Sequence, residues 1–371
     1  MASIAIPGNM SFGAPASTAA HERDLLLRRL ADLAVLPPGR ITAQERGLVD
    51  MVMAAAVSRL DETQRRRLAE RVAPLPEGPR ELTLTLARDA FAVAEPILMH
   101  SLSLGATELA DIVRDAGHDH ALAIAGRRSL PPVVVDALVD YGNGQVICRL
   151  LANKGALLSH RAAEALARRS SSEPEFVPLL LARPELNARQ ALLMFWWSPA
   201  QLRSEILARF TVERRMMHVA LEDVLEGGIE VAGADEALRV ILSMVRPPKA
   251  APKSHIAQLA SLATDGRIEE FVGELAQAGR IRAETAFRIL SDQGGEPLAV
   301  FAKAVGLTRA EFGDLMVHAT GIRGGSIPSR TDVERVVRTF DAISIDRADL
   351  VLHSWDWSIS GDAQIVMPVE E

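Results

Sequence analysis

Residues 130–138 read Leu130-Pro-Pro-Val-Val-Val-Asp-Ala-Leu138, and residues 158–166 read Leu158-Ser-His-Arg-Ala-Ala-Glu-Ala-Leu166. In both stretches a leucine is followed by a residue suited to opening a helix, and apolar residues return seven and eight positions later. The same register starts at Leu102 and at Leu186, so the four leucines are spaced by 28, 28 and 28 residues. Equal spacing with matching cap and core positions predicts an internal repeat.

A shorter apolar block precedes each of these leucines. The four blocks are Val93–Leu98, Ala121–Ala125, Val146–Ala152 and Phe176–Ala182. Each repeat is therefore predicted to be a short helix of about two turns, a tight turn and a second helix. One such hairpin cannot bury its apolar faces alone, whereas stacked hairpins can. We expect an all-α, HEAT-like α-solenoid with a period of about 28 residues; the alternative is an ordinary helical bundle with coincidental spacing.

Four stretches of the repeats carry a resemblance to a known family. They are Val93-Ala-Glu-Pro-Ile-Leu98, His120-Ala-Leu-Ala-Ile-Ala-Gly-Arg127, Val135-Asp-Ala-Leu-Val139 and Leu150-Leu-Ala-Asn153. Over about residues 80–290 the chain resembles domain of unknown function 2336, an uncharacterised bacterial family found mainly in alphaproteobacteria. The resemblance implies a helical, HEAT-like cytoplasmic protein. It brings no catalytic residue to this chain.

Helix-start signals extend beyond the repeats. A capping residue followed three positions later by Glu or Gln occurs at Thr42, Asp61, Ser172, Asn187, Ser198, Thr308 and Thr331. This pairing satisfies backbone N–H groups that have no partner in the first helical turn. The one alternating stretch, residues 82–86, runs into an alanine-rich segment, so a helix is predicted there too.

Composition shifts divide the chain into six predicted segments. They are a flexible tail (1–18), N-terminal helices (19–78), the repeat array (79–245), a Pro-rich linker (246–253), a C-terminal helical domain (254–357) and a second tail (358–371). The linker holds three prolines and three basic residues without an acidic one. Proline removes backbone donors and favours extended structure, so a flexible connection is expected there.

The overall composition excludes several classes of protein. Lys and Arg number 41 against 48 Asp and Glu, giving a net charge of −7, which argues against nucleic acid as a partner. The single cysteine, Cys148, excludes an internal disulfide framework and a Cys-based zinc site. No apolar run approaches the ~18 residues needed to cross a bilayer, and residues 1–18 hold no export signal. We expect no membrane insertion and a cytoplasmic location.

The nearest approach to a metal cluster is formed by Asp115, His118, Asp119 and His120. Imidazole and carboxylate groups bind zinc or iron when they converge. These residues lie at a turn within the repeat, where Asp119 is placed to cap the next helix. A structural role is favoured, so no cofactor and no enzymatic activity are expected. The alternative is a metal-binding protein or enzyme centred on His118 and His120.

Residues 301–316 match the helix-turn-helix pattern. Ala302 is predicted at the helix crossing and Gly306 in the turn, and the second helix would begin at Thr308. Its polar positions hold two acidic side chains, one histidine and one arginine, Arg309, which is a poor face for phosphates. A plain helical corner is favoured, and a DNA-linked regulator using Thr308 and Arg309 is the alternative.

A helical scaffold that binds a protein partner is the leading hypothesis. Solenoids present extended surfaces built from repeated side chains, and no convergent catalytic set is visible in the sequence. The residues expected at the binding surface are Arg114, Asp140 and Arg168 on second helices, and Trp355 or Trp357 as an aromatic anchor. The two tryptophans are two residues apart, so they cannot share a narrow helical face. The sequence names neither the partner nor the oligomeric state.

Overall fold

The structure is a computed structural model that describes residues 42–211 without 77, residues 267–322 and 329–361, and the single positions 25, 29, 32, 259 and 262. These residues contain 18 α-helices and no β-strand, so the predicted all-α class is confirmed. In the part of the chain that is described, no helix combines the length and the apolar character needed to cross a membrane.

The first twelve helices follow one another closely. They are α1 (Ala43–Ala56), α2 (Glu62–Val72), α3 (Arg80–Ala87), α4 (Phe91–His100), α5 (Ala106–Asp115), α6 (His118–Ala125), α7 (Pro132–Tyr141), α8 (Gly144–Ala152), α9 (His160–Arg169), α10 (Phe176–Leu181), α11 (Ala188–Met194) and α12 (Ala200–Phe210). Single 3-10 turns span Val57–Arg59 and Phe195–Trp197.

Six more helices belong to the C-terminal part of the chain. They are α13 (Ile268–Gly279), α14 (Ala283–Ser291), α15 (Glu296–Ala304), α16 (Arg309–Ile322), α17 (Arg330–Ala342) and α18 (Ile345–Gly361). Helix α18 continues past residue 357, where the sequence predicts a tail to begin. The predicted linker 246–253 and the tail 1–18 lie outside the described residues.

Side-chain caps begin several of the helices as predicted. Thr42, Asp61, Asn187 and Thr308 each accept a hydrogen bond from the backbone N–H three residues later. The Glu or Gln at that position accepts one from the backbone N–H of the cap. Two donors without helical partners are satisfied at each of these helix starts.

Three of the predicted capping pairs are wrong. The hydroxyls of Ser172 and Ser198 donate to carbonyls three and four residues earlier in the chain. Both serines follow directly after a helix or turn, and the last carbonyls there need donors. Helix α17 begins two residues earlier than predicted, and its cap is Ser329 rather than Thr331.

The repeat register holds for three of the four leucines. Leu130, Leu158 and Leu186 are buried, and each lies two residues before the first residue of a second helix. Leu102 is 67% exposed, and the buried residue two positions before α5 is Leu104. The first predicted position is therefore wrong by two residues, because α5 begins only at Ala106.

The chain divides into two compact units, Met1–Ala162 and Ala163–Glu371. In the first unit, helices pack on the helix two places further along the chain: α1 on α3, α2 on α4, α4 on α6, α5 on α7, and α6 on α8. Sequence neighbours such as α3 and α4 also make contact. Helices α4, α6 and α8 are each predicted to be the first helix of a repeat. They make successive contacts, since α4 packs on α6 and α6 packs on α8.

Two side chains in this unit join successive repeats in the same way. Arg127, just after α6, donates to the carbonyls of Leu98 and Ser101 at the end of α4, both at 2.6 Å. Asn153, just after α8, donates to the carbonyl of Ala125 at the end of α6, at 2.9 Å. The last carbonyls of a helix have no partner within it, so Arg127 and Asn153 each cap the first helix of the preceding predicted repeat.

In the second unit, α15 is the central helix. Every residue of α15 except Lys303 is buried, and the helix packs on α14, α16, α17 and α18. Helix α18 also packs on α11, where fully buried Trp355 donates its Nε1 hydrogen to the carbonyl of Leu192 at 3.2 Å. The ring of Trp355 lies 4.9 Å from that of Phe195 and 4.8 Å from that of Trp196, measured between centroids.

These contacts divide the chain at a different place from the predicted boundaries. Residues 188–210, predicted as part of the repeat array 79–245, share one compact unit with helices of the predicted C-terminal domain 254–357. Trp355 and the ion pairs of Arg203 join the two stretches. Side chains so far apart in the sequence leave no local signal of their pairing.

Candidate partner-binding surfaces

The three repeat residues predicted at a binding surface all lie near the ends of second helices, and all form ion pairs. Arg114 pairs with Asp111 at 2.7 Å, Asp140 with Arg161 at 2.8 Å, and Arg168 with Glu164 at 3.1 Å. Between a third and a half of each predicted side chain stays exposed. Exposed ion pairs of this kind contribute about 0–1 kcal/mol, so a competing charge can replace either partner at little cost.

The two C-terminal tryptophans have opposite environments. Trp355 is completely buried between α11 and α18, so it is a core residue, which corrects the expectation that it could be a surface anchor. Trp357 is 38% exposed, and the Arg189 guanidinium lies 4.7 Å from the centroid of its ring. Of the two tryptophans, only Trp357 is accessible to a partner.

A second tryptophan–arginine pair lies beside the buried tryptophan. The Arg288 guanidinium is 4.3 Å from the ring centroid of Trp196, which is half-buried and contacts Trp355. Stacking of this kind contributes about 0.5–1 kcal/mol at exposed sites. The sequence carries no signal for Arg189 or Arg288, because each meets its tryptophan only through tertiary packing.

The two histidines of the proposed metal cluster are engaged in separate contacts. His120 Nε2 lies 3.0 Å from the carbonyl oxygen of Asp89. A carbonyl only accepts, so that nitrogen donates its hydrogen and is not available to a metal. His118 Nε2 lies 3.1 Å from Oε1 of Gln145. Within the described ranges, Asp115 and these histidines belong to no group of three or more His, Cys, Asp or Glu residues able to hold a metal ion.

The predicted helical corner is formed by α15 and α16. Gly306 has a φ of +81°, a left-handed conformation suited to glycine, and Ala302 is completely buried at the crossing. Thr308 caps α16, and Arg309 beside it lies 3.5 Å from Asp341. Although the Arg309 side chain is 69% exposed, its charge already has an acidic neighbour. The geometry of the corner agrees with the sequence pattern, while its charge does not favour phosphate.

A buried ionic network holds the second unit together around Glu296. Arg203 of α12 donates to both carboxylate oxygens of Asp292, at 3.0 and 2.8 Å, and to Oε2 of Glu296 at 3.0 Å. Arg335 of α17 donates to Oε1 of Glu296 at 2.7 Å and to Asp332 at 2.6 Å. Glu296, only 1% exposed, therefore connects α12 to α17.

The arginines of this network are firmly charged. Burial alone lowers the pKa of Arg203, but hydrogen bonds and charges from Asp292 and Glu296 outweigh it, so the net shift is upward. The pKa of Arg335 is also raised, because Glu296 and Asp332 together outweigh its partial burial. Arg203 shares the buried face of α12 with apolar residues three and four positions later. A charge on an apolar helical face is the one sequence signal that could have revealed the network.

A groove of about 660 Å³ runs between α12 and α17. The α12 wall consists of Ala200, Gln201, Ser204, Leu207 and Ala208. The opposite wall consists of Arg335, Arg338, Thr339 and Ala342 of α17, followed by Ile343 and Arg347. Three of these described lining residues are arginines and none is acidic, so the groove combines an apolar floor with positive charge.

A family model described as "Uncharacterised protein conserved in bacteria (DUF2336)" matches residues 93–353. The chain belongs to the DUF2336 family. No curated protein and no solved structure matches it. The matched range of this DUF2336 protein includes the helical corner, the buried ionic network and every lining residue of the groove, whereas Trp357 lies four residues beyond it.

Proposed function

We propose that this DUF2336 protein is a non-catalytic, HEAT-like helical scaffold that holds a partner protein in the bacterial cytoplasm, in regulation or assembly. The observation that carries the proposal is the packing of helices on their second neighbours in the first unit. Stacked hairpins expose equivalent positions in successive repeats, and such rows of side chains are the usual binding surfaces of solenoids.

The repeated carbonyl contacts of Arg127 and Asn153 support the solenoid arrangement. Both side chains cap the end of the preceding repeat's first helix, 26 to 29 residues earlier in the sequence. A coincidental bundle has no reason to use one type of contact in two successive hairpins. Recurrence of one contact in successive hairpins is what stacking of equivalent repeats would produce.

The proposed contact residues are Arg114, Asp140, Arg168 and Trp357. The three charged residues combine partial exposure with ion pairs that a partner can replace at small cost. Trp357 combines exposure with a stacked arginine, and Trp and Arg are the residue types most enriched at energetically dominant interface positions.

Site-specific photocrosslinking in the source bacterium tests the proposal. A photoreactive phenylalanine analogue replaces one of the four contact residues at a time in the full chain. We expect at least one position to give a discrete adduct whose partner is identified by mass spectrometry, while the same analogue at Arg330, with a side chain 93% exposed, gives none. If none of the four positions gives an adduct that the control lacks, the scaffold function is wrong.

A DNA-linked regulator is the second candidate, favoured by the geometry of the α15–α16 corner. Binding of duplex DNA that weakens steeply with salt, and weakens further in Arg309→Ala, would support this candidate. No binding at low salt would eliminate it.

A further inference from the structure

We infer that the groove between α12 and α17 binds an acidic, amphipathic helical segment of the partner protein. The inference rests on the proposed scaffold function and specifies the chemistry that one of its surfaces recognises. Four features of the groove support it: its floor, its satisfied hydroxyls, its charge and its fixed width.

The α12 wall has small side chains that allow another helix to pack closely along it. Ala200, Ser204 and Ala208 are spaced by four residues, so they form one stripe of small side chains along the groove. A stripe of small residues lets another backbone approach closely, and Leu207 adds apolar surface to it. Eight residues of α-helix span about 12 Å, which matches about two turns of a bound helix.

The hydroxyl groups of the lining are already satisfied. Ser204 Oγ donates to the carbonyl of Ala200, and Thr339 Oγ1 donates to the carbonyl of Arg335, both at 3.3 Å within their own helices. These residues therefore demand no polar partner from a ligand and offer it mainly their carbon atoms. An apolar helical stripe can cover these two hydroxyls without leaving either donor unpaired.

Positive charge lies along the opposite wall. Arg338 is exposed and makes no ion pair among the described residues; its Nε donates only to the carbonyl of Glu334. Arg335 uses Nε and Nη1 for its two carboxylate partners. With Arg347 they are the charged residues in the lining of the groove, and all three are arginines beside an apolar floor. Glutamates flanking an apolar stripe match this arrangement, whereas a sugar–phosphate backbone would leave the floor without apolar contacts.

The width of the groove is fixed before any ligand arrives. Glu296 bonds Arg203 on α12 with one oxygen and Arg335 on α17 with the other, so one buried carboxylate bridges the two walls. Breaking such a buried network is costly, because it leaves a charge without its partner. A preformed groove lowers the ordering cost of binding, which favours recognition of a short segment.

The test measures binding of a labelled 16-residue peptide to the full-length protein by fluorescence anisotropy at low salt. Leu and Ala form one helical stripe of this peptide, and Glu residues flank the stripe. We expect saturable binding that weakens at least tenfold when Lys replaces every Glu. Arg338→Glu should weaken it at least tenfold by replacing attraction with repulsion, and Ser204→Trp by filling the groove.

Arg330→Glu is the matched control, since Arg330 lies on the same helix, is 93% exposed and does not line the groove. All three substitutions are at exposed positions, and unchanged circular dichroism melts confirm the fold. Equal binding of the acidic and basic peptides, or unchanged binding by both groove variants, overturns the inference. So does a concentration-dependent dimer that only the groove variants abolish, because the occupant is then a second copy of this chain.

Failure of the groove inference is distinguishable from failure of the proposed scaffold function. If the photoreactive positions give partner adducts but the groove takes no acidic peptide, the scaffold proposal stands and the groove inference falls. If neither experiment gives binding, both are wrong.

Discussion

At the residue scale, Gly155 has the least room for a side chain among the described glycines of the first unit. A Cβ atom at this position would lie 1.9 Å from the carbonyl oxygen of Arg128, which is far inside van der Waals contact. The carbonyl of Gly155 itself accepts a hydrogen bond from the backbone N–H of Leu130 at 3.2 Å. The turns of two successive hairpins therefore touch through their backbones, and no side chain fits between them.

We predict that Gly155→Ala lowers the free energy of unfolding by about 2 kcal/mol or more, because the two turns must separate. Gly117→Ala is the matched control, since a Cβ at Gly117 meets nothing within 4 Å and the residue is the N-cap of α6 in the same unit. Urea unfolding followed by circular dichroism measures both variants. Equal stability of the two would contradict the close approach at Gly155.

At the scale of the element, helix starts depend on whether a capping side chain reaches its own helix. Asn187 Oδ1 accepts from the backbone N–H of Gln190 at 2.9 Å, and Gln190 Oε1 accepts from the N–H of Asn187 at 3.0 Å. Ser172 has the same sequence signature, but its hydroxyl donates backwards to the carbonyl of Arg169. The same pattern thus has two structural outcomes in one unit.

We predict that Asn187→Ala lowers the free energy of unfolding by about 1 kcal/mol, because the backbone N–H of Gln190 at the start of α11 loses its side-chain cap. Ser172→Ala should cost only a few tenths of a kcal/mol, since it removes one exposed hydrogen bond. Both residues lie in the unit Ala163–Glu371, so one denaturation assay compares them directly. A larger effect at Ser172 would mean that the capping assignment is wrong.

At the scale of the whole molecule, the second unit depends on contacts between distant parts of the chain. Trp355 bonds the carbonyl of Leu192, 163 residues earlier, and Arg203 bonds Asp292 and Glu296, 89 and 93 residues later. The unit is therefore stabilised by long-range pairs rather than by neighbouring hairpins alone.

We predict that Trp355→Ala destabilises this unit by about 3–5 kcal/mol, because it leaves a large cavity in the core and removes the hydrogen bond to the Leu192 carbonyl. Trp357→Ala should cost less than about 1 kcal/mol, since Trp357 is partly exposed and loses mainly its stacking on Arg189. Thermal denaturation followed by far-ultraviolet circular dichroism separates the two. Similar melting temperatures would contradict the burial of Trp355.

The candidate surfaces were only partly predictable. Trp357 and the helical corner carry local signals, a pair of closely spaced tryptophans and a glycine turn between apolar residues. The groove carries none, because its walls are two helices more than a hundred residues apart in the sequence. The sequence also predicted Trp355 and Trp357 equally as aromatic anchors, since the burial of each depends on which distant residues pack against it.

The sequence by itself determined the helices, four of the predicted capping pairs, and most buried positions of the repeats and of the α15–α16 corner. These features follow from hydrogen bonds and apolar spacing within about four residues, which are written in local sequence. Only the tertiary structure decided that Leu104 replaces Leu102, that Trp355 is buried, and that Glu296 bridges α12 and α17. Those outcomes depend on which distant surface excludes water from a side chain, and no short-range pattern specifies that choice.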